Sequence, residues 1–212
     1  MINQHTIDYV FIPFLVHLSS YWSVCGIFYL KDRLFKKGYN WSAYKSAAVT
    51  SIKNQFYISL PTLYITSGRI QKVIEASVDD TFITCISKLF LIINISNLFF
   101  YWSHRFLHIP FMFRYVHYKH HEFIEPIGVA ALYAHPIEHF ISNTLSFILP
   151  FLYVGCNYYI MLMLLACATM ITVLYHTKYF FIFNDHLIHH QLFKYNYGFG
   201  GYLDKMFGTY CY

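Results

Sequence analysis

The chain has 212 residues, of which 57% are hydrophobic, 22% aromatic and only 12% charged, where soluble domains carry about 25% charge. That composition excludes an ordinary soluble domain and suits a single membrane-embedded unit over residues 1–212 with four or five spans. The formal charge of +5 is spread over short loops, so it reads as a topology signal, and no nucleic-acid partner is expected.

The first span is expected over residues 9–30, apolar apart from His17 and a few hydroxyls, and it ends at Lys31, Asp32 and Arg33. No cleavable signal peptide is expected, because a basic leader is missing and the first apolar stretch is long enough to remain as a span. The loop 31–53 sets Lys31, Arg33, Lys36, Lys37, Lys45 and Lys53 against Asp32 alone, which marks it as cytoplasmic. Residues 54–67 are apolar but short and contain Pro61, so a second span there has to borrow from residues 46–53. The segment 68–80 has no basic excess and suits the lumenal side. A third span over 82–102 returns the chain to the cytoplasm and delivers His104 just past its end, with Lys88 able to snorkel. The N-terminal spans thus occupy 9–102.

Residues 103–139 are too polar to span and should form helices on, or dipping into, the membrane surface. Residues 140–175 read as a helical hairpin with its turn at Gly155, Cys156 and Asn157, and the tail from 177 is cytoplasmic. The expected architecture is all-α: a polytopic membrane protein whose cytosolic helical cap, in the region 103–212, carries the histidines. The five cysteines are scattered and form no C-x-x-C, so neither a disulfide framework nor a thiolate zinc site is indicated.

Eleven of the 13 histidines fall between His104 and His190. They form HRFLH (His104, His108), HYKHH (His117, His120, His121), HPIEH (His135, His139) and HLIHH (His186, His189, His190), with His176 alone. His5 and His17 lie apart and are read as structural. Chance predicts roughly 0.05 occurrences of H-x-x-H-H in such a chain, and there are two. On a helix, residues three or four apart share a face, so each box can aim two or three imidazoles at one point, as a metal demands.

Neutral imidazole suits iron, zinc, copper and nickel alike. Ten or eleven histidines would saturate two ions, and the absence of any E-x-x-H makes a dinuclear site histidine-rich and carboxylate-poor. Iron activating dioxygen against a C–H bond is the preferred reading, with zinc activating water for hydrolysis, or silent metal sensing, as the alternatives. His135 should cap the helix that Pro136 opens. His139 is a ligand or a group behind the ligands, and His176 is a candidate ligand at the exit of the last span. Glu122, Glu125, Glu138 and Asp185 adjoin the boxes and can orient an imidazole through its second nitrogen.

The order HRFLH, then HYKHHEFIEPIGVAALYAHPIE, then HLIHH followed by GYLDKMFGT, resembles the fatty acid hydroxylase and sterol desaturase superfamily of membrane di-iron oxygenases, and within it the C-4 methylsterol oxidases. The resemblance covers about residues 90–212. It implies an endoplasmic-reticulum enzyme, multi-pass with its boxes facing the cytosol, that oxidises a sterol C-4 methyl group. It also implies two non-haem irons, dioxygen as co-substrate, and electrons from NAD(P)H through cytochrome b5 or its reductase. The implied ligands are His104, His108, His117, His120, His121, His186, His189 and His190, with His135 and His176 at positions where members also carry histidine. No further catalytic side chain is assigned.

The chain departs from the pattern at Asn97, where members commonly have an acid, at Thr177-Lys178-Tyr179 in place of S-G-Y, and in a tail that stops at Tyr212. These positions leave open a fatty acyl chain, alkane, aldehyde or other sterol position as substrate. No G-x-G-x-x-G follows an expected strand, and Gly198-Phe199-Gly200-Gly201 reads as a turn, so a redox enzyme here needs an external donor. The basic loops can receive an acidic carrier, although topology alone explains those charges.

Overall fold

The computed structural model describes residues 2–35, 40–179 and 184–212. Lys36 and Lys37 of the expected basic loop lie outside the described residues. Those described form helices and turns with no strand. Five long helices build the body: α1 (Gln4–Phe35), α2 (residues 41–75), α3 (Phe82–Leu107), α5 (Pro136–Val154) and α6 (Tyr158–Tyr175). Short helices α4 (Pro110–Tyr115), α7 (Asn184–Leu192) and α8 (Tyr202–Met206) lie in the connections and the tail.

Four of these, α1, α3, α5 and α6, are long and apolar enough to cross a membrane. Only 11% of the most apolar stretch of α3 is buried against protein, so Phe82, Ile83 and Phe90 present an apolar surface that suits lipid. The helix α3 runs to Leu107 instead of stopping at 102, which puts His104 on its last turn and not beyond its end.

The expected loops 31–53 and 68–80 are largely helical, because α2 is one long rod. It runs antiparallel to α1 along its whole length: Tyr29 packs on Trp41 and Tyr44 at one end, Tyr21 donates to Ser51 in the middle, and His5 bonds Ser67 and Gln71 at the other. Its low hydropathy has a structural cause. Asn54 donates to the carbonyls of Leu132 and Ala134 at 2.9 and 3.0 Å, and Ser51 donates to that of Val129 at 3.1 Å. Buried carbonyls need donors, and a polar face on α2 supplies them. Each of the first two π turns, Ile7–Phe11 and Gln55–Ser59, ends two residues before a proline, Pro13 or Pro61. The ring lacks an N–H and crowds the carbonyl four residues back, so the turn widens.

The hairpin turn lies at Gly155, Cys156 and Asn157, as expected. Gly155 adopts φ +71°, and a Cβ there would sit 3.1 Å from the carbonyl oxygen of Val73. At this end of the bundle Lys88 pairs with Asp80 at 2.7 Å. At the opposite end α3 and α6 finish together, and the histidines gather there.

Candidate metal centre

Nine imidazoles form two groups side by side. One holds His104, His108, His117, His121 and His189, the other His120, His176, His186 and His190, and within each group one donor atom per residue lies within 4.8 Å of the rest. All are buried except His108, which is half-buried. The rings of His121 and His190 meet across the boundary with centroids 4.6 Å apart.

Each H-x-x-H-H box divides between the groups. His117 and His121 enter the first while His120 enters the second; His186 and His190 enter the second while His189 enters the first. The pairs four apart stay together and the residue between them crosses over. The expectation that each box points at one centre is therefore replaced by an interleaving of the two boxes. Residues 117–122 are a 3₁₀ turn, and α7 is an α-helix.

Backbone carbonyls orient the rings. His104 Nδ1 lies 2.7 Å from Tyr197 O, His120 Nδ1 3.1 Å from Tyr133 O, His176 Nδ1 2.8 Å from Thr172 O and His189 Nδ1 2.7 Å from Tyr195 O. A carbonyl only accepts, so each of these nitrogens carries the proton and the opposite Nε2 presents a lone pair. His120 Nε2 and His176 Nε2 nonetheless face each other at 3.1 Å. No proton is left to bridge them, and the arrangement is repulsive unless a cation lies between. Further Nε2 to Nε2 separations are 3.0 Å for His117 with His121, 3.1 Å for His104 with His117 and for His176 with His186, and 3.2 Å for His108 with His189 and for His186 with His190. Neighbouring nitrogens each about 2.1 Å from a shared ion and about 90° apart are separated by about 3.0 Å. The donor set fits two cations.

Burial also keeps these rings neutral, the form that binds metal. It pushes His120 down to about 4 against the pull of the Tyr133 carbonyl. Burial and then His120 bring His176 down to about 3, and burial and then His104 bring His108 down to about 2. His117, His121, His186, His189 and His190 are also shifted downward, first by burial and then by neighbouring imidazoles.

The remaining candidates lie outside both groups. His135 is the N-cap of α5, its Nδ1 accepting from Ile137 N at 3.2 Å, and its ring joins neither group. His139 is buried, 2.9 Å from Ser59 Oγ and 3.3 Å from Asn143 Nδ2. His17 bonds Thr169 and Gln55, so it and His5 pair with polar side chains away from the centre.

Of the four acids beside the boxes, Glu138 faces a clustered imidazole: its Oε1 lies 2.9 Å from His117 Nδ1. Glu122 accepts from Tyr133 OH and Asp185 from Tyr210 OH, and Glu125 lines a cavity of about 170 Å³ that touches none of the nine rings. Sequence reasoning missed Asp204, which accepts from the amides of Tyr197 and Gly198 at 2.7 and 2.9 Å and so holds the carbonyl that orients His104. Its signal lies in the GYLDKMFGT stretch that carries the resemblance.

A smaller cavity, about 20 Å³, adjoins the rings of His104, His120, His176 and His186. Three of the four second-group residues line it and one of the five in the first. Its other walls are Phe100 of α3, Ser142 and Asn143 of α5, Thr172 of α6, Ala131, Glu138 and Phe199.

Residues 89–209 match the family model described as Fatty acid hydroxylase. The human fatty acid hydroxylase domain-containing protein 2 is 42% identical over 119 residues, 54% of this chain and 36% of that protein, so the match spans about a third of this relative's length. Methylsterol monooxygenase 1 of Gallus gallus is 29% identical over 221 residues, 92% of this chain and 74% of its own. Sphinganine C4-monooxygenase 2 of Arabidopsis thaliana is 33% identical over 126 residues, 52% of this chain and 49% of its own. No solved structure matches.

Proposed function

Since the chain belongs to the fatty acid hydroxylase family, we propose that it is a membrane monooxygenase using two non-haem irons and dioxygen on a lipid C–H bond, with the C-4 methyl group of a sterol precursor as the preferred substrate. The observation that carries the reading is the facing lone pairs of His120 and His176 within two adjoining all-imidazole groups. His104, His108, His117, His121 and His189 would hold one iron, and His120, His176, His186 and His190 the other. His135, a cap, is left out of that set, and His139 stands behind it.

The reaction consumes the lipid, dioxygen, two electrons and two protons and yields the alcohol and water. Bound iron would supply the activation of dioxygen, which no side chain here performs. The protein's own part is positioning and exclusion of water. Glu138 places its carboxyl 2.9 Å from Nδ1 of the His117 ring, and the four carbonyls fix the tautomers of His104, His120, His176 and His189. Phe100, Ala131 and Phe199 give the small cavity apolar walls, which suit an unactivated C–H group and disfavour bulk water. Electrons would come from NAD(P)H through cytochrome b5 or its reductase. The setting is the endoplasmic-reticulum membrane, with the boxes on the cytosolic side.

The test is iron analysis of the purified protein followed by turnover under ¹⁸O-labelled dioxygen with a 4,4-dimethylsterol and a reductase system. Two irons per chain and label in a sterol alcohol are expected. Zinc with activity in the absence of oxygen would replace this reading with hydrolysis.

A further inference from the structure

Phe199 belongs to the Gly198-Phe199-Gly200-Gly201 turn, yet its ring is part of the wall of the small cavity beside the histidines. It stacks on Phe100 with centroids 4.1 Å apart and planes at 23°, and it meets Tyr175 edge-on at 5.4 Å. One buried side chain grips its backbone. Asn97 donates Nδ2 to Phe199 O and accepts from Phe199 N, both at 3.0 Å. The flanking amides are also fixed: Gly198 N donates to Asp204 and Gly200 N to Tyr175 OH. An amide side chain offers both a donor and an acceptor, whereas an ionised carboxylate only accepts. Asn97 is thus suited to this grip in a way that the acid expected from the resemblance is not.

We propose that Phe199, fixed by Asn97, is the wall that sets substrate specificity, admitting a C–H group that projects from the lipid, such as a methyl, over a methylene in mid-chain. The proposal rests on the reading of the two histidine groups as an oxygenase centre. The cavity is small, about 20 Å³, against the roughly 300–1,000 Å³ of a pocket that encloses a whole ligand, so only a part of the lipid enters it. A methyl on a rigid ring system enters it end-on. A mid-chain methylene brings carbon on both sides and needs the room that the stacked rings of Phe100 and Phe199 occupy. Asn97 acts only through Phe199 and is a positioning residue.

The experiment uses the full chain in lipid nanodiscs loaded with ferrous iron, comparing the unmodified protein with Phe199→Ala, Asn97→Ala and Asn97→Asp. Iron content, amide exchange over residues 197–201, and both binding and kcat/KM for a 4,4-dimethylsterol and for sphinganine are measured. Iron content is expected to stay unchanged in all variants, while both Asn97 variants exchange the Phe199 amide faster. Phe199→Ala is expected to shift the sterol-to-sphinganine ratio about tenfold or more toward sphinganine. Asn97→Ala should move it the same way by less, through KM with kcat retained. An unchanged ratio in iron-loaded Phe199→Ala overturns the proposal, even if the Asn97 variants loosen the amide. Should the unmodified protein place no label from dioxygen in either lipid, the oxygenase reading fails separately. The binding ratio then decides the wall: a shift in Phe199→Ala sustains it and no shift removes it.

Discussion

Glu138 Oε1 lies 2.9 Å from Nδ1 of His117, and both residues are buried. The acid stands on the first turn of α5, three residues after the His135 cap, so the start of one helix sets a carboxyl beside an imidazole from a 3₁₀ turn 21 residues earlier in the chain. Carboxylates behind a ligand imidazole hold its ring in place and raise its basicity. Glu138→Ala is expected to weaken iron binding about 10- to 100-fold, with Glu138→Gln closer to the unmodified protein. Competition against a chromogenic ferrous chelator measures this. Equal affinity in all three proteins would remove Glu138 from its bracing role.

Histidines inside and outside the groups should separate cleanly. His176→Ala removes one of four donors from the second group and is expected to lower iron content from two per chain to one. His135→Ala leaves both groups whole and should retain two, at the cost of a helix cap that is worth about 1 kcal/mol. Metal analysis after gel filtration reads both. Loss of iron in His135→Ala with the fold intact would return His135 to the ligand set.

Stripping the metal should destabilise the fold, because facing lone pairs such as those of His120 and His176 are then left uncompensated. A ligand present at about 100 times its dissociation constant stabilises by about 2.7 kcal/mol per site. The melting temperature in detergent is therefore expected to fall on chelation and to recover with ferrous iron or zinc, since either ion suits imidazole. A melting temperature indifferent to both treatments would contradict the metal site itself.

Asn54 satisfies two buried carbonyls, those of Leu132 and Ala134. Asn54→Leu, which keeps the bulk and deletes the donor, should cost about 1–3 kcal/mol for each group left unpaired. Because Tyr133 O, between those carbonyls, receives His120 Nδ1, the same change should also weaken iron binding. Unfolding and iron titration test the two effects, and a variant as stable as the parent would refute the account of why α2 is polar.

The local pattern of the chain determined a good deal by itself. Apolar runs over 9–30, 82–102 and 140–175 marked the spans because lipid rewards them residue by residue, and the turn at Gly155 to Asn157 was visible because glycine and asparagine break helices. Histidine spacing marked the centre, since the repeated H-x-x-H-H boxes are far more frequent than chance allows, although of the two only HLIHH sits on an α-helix and HYKHH on a 3₁₀ turn. Tertiary structure alone decided the rest. It made residues 41–75 a single rod, whose polar residues find their carbonyl partners about 80 residues away. It also sent His120 and His189 each into the other box's group and left His135 as a cap. How the rings of His120, His176, His189 and His104 are oriented depends on where Tyr133, Thr172, Tyr195 and Tyr197 place their carbonyls. Every residue carries a carbonyl, so the side-chain sequence does not distinguish those four until the helices pack.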